Sequence, residues 1–233
     1  MKFTQIWVWI AVSTSALLAA CGGGGGGGSS TPVTSTETFQ LRTAYVSYLT
    51  DTRSLPFSVT GTISGVNVSG TGTVTQGGIA AATFEGQSAQ VKTTTVTGTL
   101  VANGQSVPLA STSTAYVDAN YSPLGFNGSE YEVVTSSAPI PITARVNDTA
   151  VWYSATRYIG SSKATRTGTT TATFVLEPDT ASTALLKIIE VERNTSSTVT
   201  STSTTTFRIT PAGNLTRISE TLVKDASSLT VTY

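Results

Sequence analysis

The chain contains no histidine, and this absence removes several kinds of chemistry. Ser-His-Asp and Cys-His catalytic arrangements need an imidazole, as does His-ligated zinc, and histidine is the easiest general base near neutral pH. Hydrolases that use lysine as the base need Ser-x-x-Lys, a spacing that Ser161-Ser162-Lys163 lacks. Asn147-Asp148 stands apart from any Asp-x-Asp-x-Asp loop, so the sequence predicts no metal site and no cofactor.

Cysteine and charge are also scarce. Cys21 is the single cysteine, so an internal disulfide is excluded. Charged residues make up 11% of the chain, with 13 basic and 13 acidic side chains, against about 25% charged residues in ordinary domains. The densest basic group is Arg157, Lys163 and Arg166, which we interpret as a solvated strand end. We therefore expect no nucleic-acid partner.

Carboxylates are the remaining catalytic candidates. Residues two apart on a strand share a face about 7 Å apart, a separation that overlaps the lower end of the range for inverting glycosidases. Each such pair lies beside a predicted turn or strand end, where a solvated charge is the simpler interpretation. The sequence thus favours a non-enzymatic protein and leaves open a His-independent hydrolase of envelope polymers. The three pairs are Glu130/Glu132, Glu177/Asp179 and Glu190/Glu192.

The first twenty residues have the three parts of a secretory signal: Lys2, an apolar stretch from Ile6 to Leu18, and the small residues Ala19-Ala20. The apolar stretch is shorter than the roughly 20 residues that span a bilayer. Leu18-Ala19-Ala20-Cys21 resembles the lipobox of bacterial lipoproteins, which signal peptidase II cleaves before the cysteine. The resemblance implies that Cys21 is lipidated and begins the mature chain, so the membrane is a partner through this anchor. Because Gly22 stands where an aspartate would signal inner-membrane retention, it also favours the outer membrane, with the periplasmic or surface face left open.

Composition divides the chain into three parts. Residues 1–20 are the predicted signal, and residues 21–35 combine the lipidated Cys21 with a Gly/Ser/Thr-rich tether. Such a tether has no apolar surface to bury and is expected to be flexible. Residues 36–233 form a predicted single β-rich domain. Threonine is about a fifth of the chain, and its branched side chain suits a pleated sheet better than a helix.

Turn signals and residue spacing predict the elements of this domain. Asn103-Gly104 is a strong hairpin signal between strands over 90–102 and 105–117. Short breaks after residue 130 predict an antiparallel meander, with residues 182–193 as a strand or, alternatively, residues 180–192 as a helix. One helix is expected over Ser35–Thr50, because Leu41, Tyr45, Tyr48 and Leu49 share a helical face.

The predicted fold class is all-β, with the meander forming a strongly curved or partly closed sheet and one short N-terminal helix. A β-sandwich is the alternative. The Thr-rich strands carry few of the lysine or proline residues that protect sheet edges, so closure is favoured. An exposed edge that pairs with a partner strand is a second hypothesis.

The segment Asn120–Gly128 is dense in turn formers and aromatic residues, which predicts an ordered surface loop. Tyr121, Leu124 and Phe126 make it the candidate binding loop, although Tyr121 and Phe126 also fit a role as packing anchors. We therefore expect an envelope lipoprotein that acts as a binding or structural module, with a protein, glycan or lipid partner. Hydrophobic cargo held in the hollow of a curved sheet is one form of this expectation.

Overall fold

A computed structural model describes residues 34–233, so the predicted signal segment, Cys21 and nearly all of the predicted tether lie outside the described residues. Within that range the chain forms one helix and twelve strands, and the prediction of an all-β fold with one short N-terminal helix is confirmed. The elements are α1 (Leu41–Thr50), β1 (Arg53–Ile63), β2 (Val66–Phe84), β3 (Gln87–Ala102), β4 (Gln105–Val117), β5 (Pro123–Asn127), β6 (Tyr131–Ser137), β7 (Thr149–Tyr158), β8 (Arg166–Pro178), β9 (Ala184–Asn194), β10 (Val199–Ile209), β11 (Leu215–Lys224) and β12 (Ser227–Thr232).

The twelve strands form one closed antiparallel barrel. Each strand pairs with its neighbours in sequence, and β1 closes the sheet against β12, with Val59 opposite Val231. The curved sheet therefore closes completely, and the sandwich alternative is not the fold. Closure gives both terminal strands a partner, which explains why few edge guards are needed. Residues 105–113 of β4 pair with β3 alone, because the pairing of β4 with β5 ends at Thr114, opposite Asn127.

The predicted hairpin at Asn103-Gly104 is confirmed. Both residues have positive φ, 49° and 73°, as a two-residue type I′ turn requires. Strand β4 has the predicted bounds, and β3 begins three residues before the predicted Gln90. The register that follows from this turn places Ala102 opposite Gln105.

Residues 184–194 form a strand, so the helical alternative for this segment is wrong. Strand β9 pairs along its length with β8 and β10. Its inner face carries Leu186, Ile188 and Glu190, which alternate with the half-buried residues Leu185 and Ile189. Pairing on both sides uses the backbone groups that a helix would have bonded internally.

Helix α1 begins at Leu41 and not at Ser35. Phe39 exchanges two backbone hydrogen bonds with Ala144, at 2.9 and 3.0 Å, and its side chain is fully buried. This bridge holds the chain extended up to the first helical residue, while Ser35 Oγ accepts from the Glu37 amide in a local turn outside the helix. Leu41 then packs at the barrel end where β9 begins at Ala184.

The predicted loop at Asn120–Gly128 contains a strand, β5, and this part of the prediction is wrong. The tip of the long β2–β3 hairpin lies over the outside of β5, where the Phe84 ring stacks on Tyr116 at 4.6 Å. A Cβ on Gly125 would lie 2.2 Å from Phe84 Cζ, so only glycine lets the ring approach this strand. Packing against the hairpin thus orders a segment whose composition is typical of a loop.

Candidate functional site: a cavity inside the barrel

The barrel interior contains a cavity of about 230 Å³. An eight-stranded barrel is just wide enough for its own side chains to fill the interior, and diameter grows with strand number. Twelve strands therefore leave more space than wall side chains can occupy, and α1 fills only part of it. The lining is mainly apolar, and eight aromatic side chains contribute to it: Tyr45, Tyr48, Phe57, Phe126, Trp152, Phe174, Phe207 and Tyr233.

Helix α1 supplies one side of the cavity. Leu41, Tyr45, Tyr48 and Leu49 all line it, so the helical face predicted from their spacing is the face that points inward. Tyr45 packs edge-to-face on Trp152, with ring centroids 4.8 Å apart. These contacts make the helix a wall of the cavity as well as a plug for one end of the barrel.

Lys92 fixes the end of the helix to the barrel wall. It lies on the inner face of β3, is 4% exposed, and its Nζ donates to three backbone carbonyls: Leu49 at 3.0 Å, Asp51 at 2.8 Å and Gly77 at 2.9 Å. Burial, followed by the nearby Arg53 charge, lowers the pKa of Lys92 to about 8. A cation is favourable at this position because the last carbonyls of a helix have no partner within it.

Two buried polar atoms at the cavity have no hydrogen-bonding partner within the described residues. Gln76 lies on the inner face of β2, is 4% exposed, and donates from Nε2 to Tyr48 Oη at 2.7 Å, while its Oε1 is unpaired. Arg217 donates from Nη2 to Glu220 and lies over the Tyr233 ring at 4.3 Å, while its Nε is unpaired. Both residues line the cavity, and the hydroxyl-bearing side chains Tyr45, Thr94 and Thr205 line it as well.

A second group of polar side chains lies in the barrel interior, and we call it the acid cluster: Glu132, Tyr153, Arg157, Glu190 and Glu192. Arg157 Nη1 pairs with Glu192 at 2.7 Å and with Glu130, at the adjoining turn, at 2.5 Å. The Tyr153 hydroxyl donates to Glu190. Ala172 lies opposite both of these residues in the sheet, and its small side chain leaves room for them to meet across β8.

The acid cluster holds more carboxyl groups than it has cations. Burial, followed by the Glu192 charge, raises the pKa of Glu132 to about 8. Burial and then Glu132 raise the pKa of Glu190 well above its ordinary value, and burial also raises that of Glu192. Glu132 is therefore mainly protonated at neutral pH, and the raised pKa of Glu190 likewise favours its neutral form, which lets both stay buried without a cation each.

The acid cluster corrects two predictions. Glu132, Glu190 and Glu192 are not solvated groups at strand ends, because the barrel closes around the inner face on which they lie. Arg157 is 4% exposed and pairs inside the barrel, so it does not belong to a solvated basic end, although Lys163 pairs with Glu85 on the outside.

The third carboxylate pair is at the surface, as predicted. Glu177 pairs with Lys187, and Asp179 pairs with Arg208. These contacts lie away from the cavity lining.

The three residues of the predicted binding loop go to three different places. Phe126 points into the barrel and lines the cavity, where its ring packs on Tyr153 at 5.4 Å. Tyr121 borders a separate small cavity of about 20 Å³, and Leu124 packs in the aromatic cluster around Phe84. Phe126 is thus the one member of the predicted set that reaches the main cavity.

Three side chains border both cavities and separate them: Tyr45, Ile140 and Trp152. The small cavity lies between α1 and the turn after β4, where Arg42 Nη2 donates to the Asn120 carbonyl at 3.4 Å. The turn that contains Tyr121 therefore lies one layer of side chains away from the main cavity.

Sequence reasoning missed Gln76, Lys92 and Arg217. A usable signal existed for Lys92: the predicted strand 90–102 has Val96 and Leu100 on its apolar face, and the same alternation places Lys92 inward. For Arg217 the alternation with Leu222 fails, because Ile218 is an extra, bulged residue of β11 opposite Thr206 and Phe207 of β10.

Among the described residues no group of His, Cys, Asp or Glu side chains is arranged to hold a metal ion. The helix of residues 41–50 is too short to cross a membrane, and the described part of the chain contains no helix that could. Compared with protein-family models, curated proteins and solved structures, this chain matches none.

Proposed function

We propose that this protein is a membrane-anchored envelope lipoprotein that acts without catalysis, by binding a small and mainly apolar molecule inside its barrel. The observation that carries the proposal is the cavity of about 230 Å³ with its mainly apolar lining. An engineered cavity of about 150 Å³ holds benzene, so a proportional estimate gives a ligand of roughly nine non-hydrogen atoms.

The cavity favours a small molecule over the other partners considered from the sequence. Ligand sites are mainly apolar concavities with a few polar groups that fix orientation, and this cavity has that composition. A volume of about 230 Å³ suits a small molecule better than a whole glycan chain or protein segment. The lipobox supports attachment of the barrel to a membrane at Cys21, with the outer membrane favoured by Gly22.

Binding is tested with propylbenzene, which has nine non-hydrogen atoms, titrated into the purified chain and followed by calorimetry. We expect saturable binding of one molecule per chain. Ala115→Phe should abolish it, because Ala115 lies on the inner face of β4 and lines the cavity. Ala110→Phe is the matched control, because Ala110 lies on the exposed outer face of the same strand. Absence of saturable binding, or equal loss in both variants, would overturn the proposal.

Anchoring is tested separately by Cys21→Ser. The variant should move from the membrane fraction to the soluble fraction and keep the circular dichroism spectrum of the parent. An unfolded or still membrane-bound variant would contradict the proposed arrangement.

A His-independent hydrolase is the second candidate, and one observation favours it. Glu190 borders the cavity and burial raises its pKa, as a general acid requires. Burial of Glu190 counts against it, because the side chain is 7% exposed and a polymer would have to enter the barrel to reach it. Loss of glycan hydrolysis in Glu190→Gln but not in the surface variant Glu177→Gln would establish the hydrolase in place of the carrier.

A further inference from the structure

We infer that two copies of this chain pair edge to edge through β4. The pairing is independent of the cavity and goes beyond the proposed function. Its basis is residues 105–113 of β4, which pair with β3 on one side and with no strand on the other, and which we call the free edge. Within residues 34–233, no backbone group outside the paired strands bonds to this stretch.

The backbone groups that face away from the sheet belong to alternate residues of the free edge. The two-residue turn at Asn103-Gly104 makes Ala102 and Gln105 a hydrogen-bonded pair, and bonded and non-bonded pairs alternate from there. The register with β3 is regular as far as Val117, so odd-numbered residues bond to β3 and even-numbered residues point their backbone groups away from it. Pro108 agrees with this assignment, because proline fits a strand where the missing N–H would face solvent.

The even-numbered residues of the free edge can bind a further strand. Ser106, Ala110 and Thr112 each offer an N–H and a C=O, and Pro108 offers a C=O. All four side chains are small, uncharged and exposed. Natural edges are protected by charged side chains, by proline or by being short. Residues 105–113 contain one proline and no charged side chain, so the edge keeps most of its capacity to pair.

The chemistry of the free edge favours a second copy of the chain over a different strand. A strand added to a sheet edge gains affinity from its main chain and specificity from side-chain recognition. The side chains beside the free edge on the outer face of β3 are also small and uncharged, so nothing there selects a foreign side chain: Thr95, Thr97 and Thr99. Two identical strands related by a twofold axis run antiparallel, which lets the N–H groups of each face the C=O groups of the other. The contact uses the free edge of both copies, so assembly closes at a dimer.

The test is sedimentation equilibrium of the full chain at concentrations up to about 1 mM, with Cys21→Ser so that lipid does not drive association. We expect a monomer–dimer equilibrium. Ala110→Pro removes the N–H in the middle of the free edge and leaves the bonds of β4 to β3 in place. Each copy loses one hydrogen bond, worth about fivefold in affinity, so the dimer should form more than tenfold more weakly.

Ala110→Lys is a second variant, which keeps the comparison valid if proline disturbs the strand. It places two like charges at the contact and should weaken the dimer to a similar extent. Thr97→Lys is the matched control, because Thr97 lies opposite Ala110 on β3 and is exposed on the same face. The two added charges would then lie about three strand spacings apart, roughly 14 Å, which is beyond the Debye length of about 8 Å. This control should change the affinity less than about twofold.

A chain that stays monomeric at about 1 mM would overturn the inference. Equal dimer affinities of Ala110→Lys and Thr97→Lys would also overturn it, because the contact would then lie on another surface. Propylbenzene should bind Ala110→Lys as it binds the parent, since residue 110 lies outside the barrel. Either negative result therefore leaves the proposed function intact.

Discussion

The acid cluster predicts an unusual dependence of stability on pH. Glu132 is fully buried, and its pKa is about 8 in the folded chain against an ordinary value of 4.5. The folded state therefore holds a proton that the unfolded state releases between these two values. The contribution of Glu132 to the free energy of unfolding is fully present below pH 4.5. It is lost as the pH rises toward 8, at about 1.4 kcal/mol per pH unit.

Between pH 5 and pH 8 the loss from Glu132 amounts to about 4 kcal/mol. Glu190 also makes the free energy of unfolding fall as the pH rises, because burial raises its pKa as well. The surface carboxylates Asp51 and Asp179 act in the opposite sense, but their pKa values are lowered, so their contribution is complete before pH 5. Lys92 begins to contribute only above pH 8. The window from 5 to 8 thus isolates the acid cluster.

The assay is urea unfolding of the full chain at half-unit pH steps, followed by far-ultraviolet circular dichroism. The free energy of unfolding should fall steadily from pH 5 to 8, and Glu132→Gln should make the profile clearly flatter. Glu177→Gln, at the surface beside Lys187, should leave the slope unchanged. A free energy that is constant or rises over this window would refute the assignment of protonated, buried carboxyl groups.

Two further predictions concern stability. Lys92→Met should lower the free energy of unfolding by about 3 kcal/mol, because three carbonyls at the helix end lose their donor. The surface control Lys187→Met should lower it by less than about 1 kcal/mol. Equal losses in urea unfolding would contradict the role of Lys92 in fixing the helix end. Gly125→Ala should cost about 2 kcal/mol or more, because its Cβ meets the Phe84 ring. Gly160→Ala, where nothing lies within 4 Å, should change the melting temperature little, and a similar small change at Gly125 would contradict the packing of the hairpin over β5.

Much of the fold could be predicted because local signals agree with it. Asn103-Gly104 specifies a turn that needs two positive φ angles, and the flanking alternation sets the strands. The start of α1 could not be predicted from its neighbours, because the bridge between Phe39 and Ala144 joins residues more than a hundred positions apart. Strand β5 depends in the same way on Phe84, from a distant hairpin.

The candidate site was less predictable than the fold. The helical face with Tyr45 and Tyr48 follows from spacing, and the role of Phe126 as a packing anchor follows from its being an aromatic residue in a turn-rich segment. The environment of Glu132 and Glu190 does not, because a strand residue near a turn is solvated in an open sheet and buried in a closed barrel. The sequence leaves both arrangements possible, and the charge state of these carboxyl groups depends on which one forms.

The sequence by itself determined the class of fold and its meander order, because composition and turn chemistry are local properties; the lipid anchor at Cys21 stays a prediction. Only the tertiary structure decided that β1 meets β12, that twelve strands enclose more space than their side chains fill, and that Gln76 and Arg217 face this space. These features depend on closure of the barrel and on a register shift in one strand pair. Closure results from small contributions of every strand, so no single position in the sequence encodes it.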